Sequence, residues 1–384
     1  MVEFRGDADH GRVFTLGEAL SSCVAFGCQN PRDRIYALAN VLEERPLAPD
    51  YAVEPAVLYI RTMRDVLERA GSSLDLMAFA GTGYGGEPVV GGLPSWVSEW
   101  NRHRPPRAYD SYSAGSHHRP VVRFCDSDPT TITVEGWDLD DRLEHLTEPL
   151  EVGAGTDPVG SNDIQRSWYA VAETMAVRHA TPYGEQSPRE SFVRTLLGDR
   201  ISVPARPPTT EECQKKYSSL KEYSYLFKWA HPLQPQRAGL IRRFLTACWM
   251  DLTIDPTEQL LIQQRIRQSE SMGENFSFSK SEHPALLQRF YQVSATKAEF
   301  LYFCQVYGRR FIVTERGRMA VVPPHAKKGD VICIMKGARM PFILRRKKVA
   351  GGVSERFELV GACYVHGLMD GGNANEPEKE FTLI

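Results

Sequence analysis

A chain of 384 residues, 42% hydrophobic and 24% charged, is long enough for one large domain or two smaller ones with genuine cores. Its 46 basic and 48 acidic residues leave a net charge of −2, which gives no electrostatic pull toward nucleic acid or anionic lipid. The polar start from Met1 to Arg12 lacks the apolar stretch of a signal peptide, and no run approaches the roughly 18 apolar residues of a membrane span, so a soluble cytoplasmic chain with no membrane insertion is expected.

In chain order, Thr15 and Glu18 have the spacing of a capping box ahead of a short apolar helix, Ala19 to Phe26. Asn30-Pro31 breaks it, and a second short helix begins at Asp33. Pro55 suits a first helical position and Gly71 the position just past a helix end. Between them Ala56, Tyr59, Ile60, Met63, Val66, Leu67 and Ala70 fall on one face, the clearest amphipathic helix in the chain. A glycine-rich loop runs from Gly81 to Gly92 and leads to Leu93-Pro-Ser-Trp-Val97. Strands are predicted at Val121 to Phe124 and Thr131 to Val134.

The middle third reads as helical. A helix capped by Ser161/Asn162 is predicted to bury Ile164, Trp168, Val171, Ala172, Met175 and His179. Ser187-Pro188 starts another that ends near Gly198, and the prolines between Val203 and Pro208 mark a linker. Further helices are predicted over 211–229, 238–249 and 284–307. After Arg309 the hydrophobic period shortens to two, and five short strands within some fifty residues predict a small antiparallel, barrel-like unit. The fold class is therefore α+β: mostly helical N-terminal and middle regions (1–205 and 206–308) and a small β subdomain (309–384), unless all three form one compact unit.

Several groups invite a chemical reading. The eight cysteines form no C-x-x-C pair, so buried thiols are expected and no metal site. His117-His118 lacks a third ligand at useful spacing and reads as a solvated loop. Gly81 to Gly86 resembles a dinucleotide loop only superficially, because Pro88 and Pro94 prevent the helix that must follow; a mobile surface loop fits better than a lid. Arg345 to Lys348 reads as a solvated charge run. Trp96 and Trp100 place two indoles together, as core or as the wall of an apolar pocket. The best-equipped group is Tyr364, His366 and Asp370. Strand alternation sends Tyr364 and His366 to one face, and Asp370 follows the next turn within reach of the imidazole, as an acid/base set or as a satisfied polar network.

Three clusters resemble fungal heterokaryon-incompatibility (HET) proteins. They are Pro31-Arg-Asp-Arg-Ile-Tyr-Ala-Leu38 with Pro49-Asp-Tyr51; Leu93-Pro-Ser-Trp-Val97 with Trp100, similar to "LPSWVPDW"; and Gly308 to Thr314 with Gly361-Ala-Cys-Tyr-Val-His-Gly-Leu-Met-Asp370, similar to "G-x-CYVHGIMDGE". In that family a TIR-like core comes first, linked in TIR relatives to NAD cleavage. Its signatures are not found here, so the resemblance implies a fragment, or a protein that lost the core, with no NAD hydrolysis. The initial Met1 and the closing Glu380 to Ile384 favour the second.

Absence of a nucleophile elbow, P-loop or paired-carboxylate motif makes any enzyme of this sequence one without cofactor or metal. The expected function is a cofactor-independent enzyme of fungal secondary metabolism that promotes cyclisation, a pericyclase or cyclase acting on an apolar small molecule. Trp96, Trp100 and Phe342 would line the pocket, and Tyr364, His366, Asp370 and Arg34 would supply the catalytic donors. Such a site requires the Leu93–Trp100 and Tyr364–Asp370 segments to meet. The alternative is a non-catalytic regulatory or interaction module of incompatibility cell death. No sequence pattern fixes the oligomeric state.

Overall fold

The computed structural model describes residues 19, 28–38, 48–69, 74–84, 88–99, 111–150, 158–201, 205–218, 306, 308–348, 355–371 and 376–384, and the side chains of these except 158–167. The helices predicted at 19–26, 238–249 and 284–307 lie essentially outside these residues, as do Trp100 and the second half of the 211–229 stretch.

A short helix α1 (Asp33–Tyr36) is followed by α2 (Pro55–Arg69), a 3-10 turn (Asp75–Phe79), and strands β1 (Val122–Phe124) and β2 (Ile132–Leu146). Helices α3 (Pro158–His179), α4 (Pro188–Leu197) and α5 (210–218) come next. Seven strands close the chain: β3 (Arg310–Thr314), β4 (Met319–Val322), β5 (Val331–Met335), β6 (Phe342–Lys347), β7 (Arg356–Ala362), β8 (Tyr364–Val365) and β9 (Glu378–Leu383). Among the described residues the class is α+β and helix content is modest.

The α2 helix forms where its stripe predicts, with Tyr59, Ile60, Met63 and Leu67 buried and Ala56 and Val66 packed against them. Helix α4 starts on Ser187, whose hydroxyl accepts from Glu190 N at 3.1 Å, and ends on left-handed Gly198. In α5, Thr209 and Glu212 cap each other reciprocally: Oγ1 accepts from Glu212 N at 3.2 Å, and Oε2 from Thr209 N at 2.8 Å.

For α3 the predicted face is rotated. Trp168, Tyr169, Ala172 and Ala176 are buried, whereas Val171 is 53% exposed. Trp168 and Ala172 of the predicted stripe are buried and Met175 packs against the core, while Tyr169 and Ala176 take the places expected for Val171 and His179.

The sheet turns on β2, which is far longer than the strand predicted at Thr131 to Val134. It pairs antiparallel with β1, β3, β5 and β9. From β5 the pairing runs through β6 and β7 to β9, where Phe357 and Leu383 meet in parallel, and so returns to β2. Strands β3, β4 and β8 extend from the far end of β2. The sheet is thus built from the N-terminal region and residues 310–383 together.

Hydrophobic burial sorts onto its two faces. Ile132 and Val134 of β2 join the large core that also holds the helices; Trp137, Leu139 and Leu143 join a second, smaller core made almost wholly of strand residues. The apolar residues pass from one face to the other beyond Gly136, where a Cβ would stand 2.2 Å from Ile334 O, so only glycine lets β5 cross this close. Just beyond, Asp140 takes φ 42° within a shift of register between Asp138 and Arg142.

Candidate functional site

β8 carries the pair singled out from sequence, and alternation holds. Tyr364 faces the large core and Val365 the small one, and Tyr364 Oη lies 3.1 Å from His366 Nδ1. The other imidazole nitrogen, Nε2, lies 2.8 Å from Gln186 Oε1, which also accepts from the Ser191 hydroxyl at 2.9 Å. Gln186 belongs to the α3–α4 connection, and Ser191 to α4. With Gln186 Oε1 accepting, Nε2 carries the proton and Nδ1 accepts from the phenol. The chain of bonds runs from the sheet into the helical layer.

Burial decides the charge state. It pushes the His366 imidazolium down to about 4, and the Arg194 guanidinium adds to the effect. Burial also raises the Tyr364 phenol well above its ordinary value, reinforced by the Asp199 carboxylate. Both groups are neutral at pH 7. Tyr183 lies edge-on to His366 at 5.2 Å between ring centres and is 52% exposed, so it covers the imidazole from the solvent side. Gly367 makes that cover possible, because a Cβ there would stand 2.3 Å from the Tyr183 ring.

Asp370 is not the partner of His366. It is 69% exposed and pairs at 3.0 Å with Arg200. Arg200 is itself buried, stacked over the Tyr112 ring at 4.9 Å and bonded to Ser111. The turn after His366 carries the carboxylate outward to this guanidinium, and Gln186 fills the place expected for it. Arg194 bridges Glu190 and Asp199 at the end of α4, Arg200 donates to Asp199 O, and the Tyr112 ring beneath Arg200 packs at 5.9 Å against Tyr364 of β8.

Other predicted site residues sit in packing roles. Trp96 is fully buried, its indole N–H donating to Thr130 O at 2.8 Å. Ser95 beside it receives Leu359 N at 2.9 Å on its hydroxyl, which donates in turn to Ile384 O, so the Leu93–Val97 segment fastens β7 to the end of β9. Phe342 is buried on β6, opposite Cys333 and Ala362. Among the described residues, neither Trp96 nor Phe342 makes a ring or hydrogen-bond contact with the Tyr364–His366 pair. Arg34 is buried in α1 beside Tyr59 of α2. Around it Tyr36 donates to Asp50 O at 2.9 Å, Tyr59 to Pro31 O at 2.8 Å, and Tyr51 to Asp33 at 2.7 Å. The Pro31–Leu38 cluster is a lock between α1, the Asp50–Val53 turn and α2.

Residues 81–84 of the glycine-rich loop are tied down rather than mobile. Thr82 N and Gly83 N donate to Leu359 O and Val360 O at 2.9 and 2.8 Å. The hairpin cations are likewise paired: Arg345 with Asp330, Arg346 with Glu355 and Lys347 with Glu358. His117 and His118 are exposed, His118 lying edge-on to Trp137 at 4.7 Å. Among the described residues no group of three or more His, Cys, Asp or Glu is placed to hold a metal, and no helix is long and apolar enough to cross a membrane.

Sequence reasoning missed Gln186, Tyr183 and Ser191, which lie in or beside a turn that carries no periodic signal. It also missed His145 of β2 stacked on His179 of α3, with ring centres 3.9 Å apart. Beside that stack a groove of about 390 Å³ is lined by Ala170, Val171, Thr174, Met175, Arg178 and His179.

Taken as a class, this is a mixed α+β protein whose mostly antiparallel sheet is pinned to a helical layer through buried polar contacts. Residues 268–384, less than a third of the chain, match the family model of the Het-6 beta-barrel domain, which supports a relationship to the heterokaryon-incompatibility proteins. No curated protein and no solved structure matches the chain.

Proposed function

We propose that the chain is a non-catalytic regulatory or partner-binding module of the heterokaryon-incompatibility type, built on a small closed β-barrel. The Het-6 match supports the type, and the return of the strand pairing to β2 supports the closure. One observation carries the non-catalytic reading. The polar atoms of Tyr364 and His366 are spent on each other and on Gln186, and the imidazole is 6% exposed. A general base works best with a pKa near the operating pH and a path to substrate. An imidazole held neutral down to about pH 4 has lost most of its basicity.

A second reading, a cofactor-free cyclase for an apolar small molecule, is favoured by Tyr183 alone. Its half-exposed ring is the cover over His366, and its displacement would open a route to the imidazole. Co-expression with a HET-core protein in a filamentous fungus, scored by hyphal death, separates the two. The module reading expects an altered death response, unchanged in the Tyr183→Ala variant. No effect on death, together with cofactor-free turnover of an apolar polyene that Tyr183→Ala or His366→Ala changes, would overturn it.

A further inference from the structure

Arg200 is a buried cation paired with an exposed anion. Its side chain is 8% exposed, lies over the Tyr112 ring at 4.9 Å, and donates to Ser111 Oγ at 3.2 Å, Ser111 O at 3.3 Å and Asp199 O at 3.1 Å. These contacts hold the guanidinium in one orientation whatever anion meets it. Among the described residues its one ion pair is with Asp370, whose carboxylate is 69% exposed and reaches Nη2 through a single oxygen at 3.0 Å. A guanidinium can take a carboxylate through two parallel bonds, and this pair uses one. Asp370 sits on the turn between Gly367 and Gly371, both left-handed, with φ 83° and 86°. The backbone of that turn is anchored by Ser113 N donating to Met369 O at 2.8 Å and by the His117 ring against Gly371. The Asp370 side chain can therefore swing into solvent without the turn opening.

We infer that Arg200 is the centre of a carboxylate-binding site that Asp370 occupies from within the chain, and that an acidic side chain of a partner protein takes its place. The resident group identifies the chemistry, because the rigid cation already holds a carboxylate presented at the surface on a short side chain. A tethered resident has a high effective concentration, which keeps small anions out of the site. An incoming carboxylate that engages two donors of the fork makes a bond that Asp370 does not. This names the partner chemistry of the module proposed above and rests on that reading, but the site itself is testable without a partner.

Acetate titrated into the purified full chain at constant ionic strength, followed by the amide NMR signals of residues 111–113, tests this. The Asp370→Ala chain is expected to bind acetate about tenfold more tightly than the parent chain, because the resident competitor is gone. The gain should vanish in the Asp370→Ala/Arg200→Gln chain. Equal affinity in the parent and Asp370→Ala chains, a gain that survives Arg200→Gln, or a larger gain for inorganic phosphate than for acetate would overturn the inference. If the double variant fails to fold, the comparison of parent with Asp370→Ala still decides. A null result here leaves the outcome of the hyphal-death assay unchanged, so the site and the module reading fail separately.

Discussion

At the scale of single residues, His366 sets the behaviour of its surroundings. Its folded pKa is about 4, below the ordinary 6.5, so as pH falls the unfolded chain takes up a proton first. The stability this neutral imidazole contributes is complete above about pH 6.5, declines as pH falls toward 4, and levels off below that. A His366→Gln chain should lack roughly 3 kcal/mol of that decline. Denaturant melts of both chains at pH 7 and pH 4.5 give the difference, and parallel losses would contradict it. Tyr364→Phe and Gln186→Ala should each cost about 1–3 kcal/mol, because each leaves a buried imidazole nitrogen unmatched. Their effects should fall short of additivity in a double-mutant cycle, since both act through one ring.

The thiols separate by burial. Cys333 and Cys363 are inaccessible, and burial raises both above the ordinary thiol range; Cys125 is partly open, with its thiol lowered by the Ser127 hydroxyl. Peptide-resolved labelling should modify Cys125 in the folded chain, and Cys333 and Cys363 only after unfolding. Early modification of either buried thiol would contradict this account of the sheet.

Among elements, β2 shows where sequence reading succeeds and where it stops. Ile132 and Val134 alternate cleanly and were legible as strand. Asp138 to Arg142, with four charged residues in five, conceal the rest, because past Gly136 the apolar residues pass from one face of the strand to the other and the strand bulges at Asp140. Gly136→Ala should lower stability by about 1–3 kcal/mol, since the added methyl meets the β5 backbone. A melt indistinguishable from the parent chain would show that β5 can move aside. Helix α2 and the capped α4 were legible because stripe and cap are local signals. The burying face of α3 was legible only in part: Trp168, Ala172 and Met175 face the core as their spacing predicts, whereas Tyr169 and Ala176 bury where Val171 and His179 were expected. The same limit applies to the candidate site. Period two put Tyr364 and His366 together, but the partners that complete the relay come from a turn about 180 residues away in sequence.

For the whole molecule, β2 joins what the sequence separates. Strands β3, β5 and β9 each lose a partner without it, so residues 309–384 expressed alone should show no cooperative unfolding. On the proposed reading, the buried bonds from β8 to α4 pin the sheet to the helical layer, with His366 as the pin and not an acid or base. The most direct measurement is a nitrogen-15 NMR titration of the His366 side chain in the intact protein. The expected result is a neutral imidazole protonated on Nε2, with shifts constant from about pH 8 to about pH 5. An imidazole that titrates near its ordinary value, or that carries its proton on Nδ1, would contradict it.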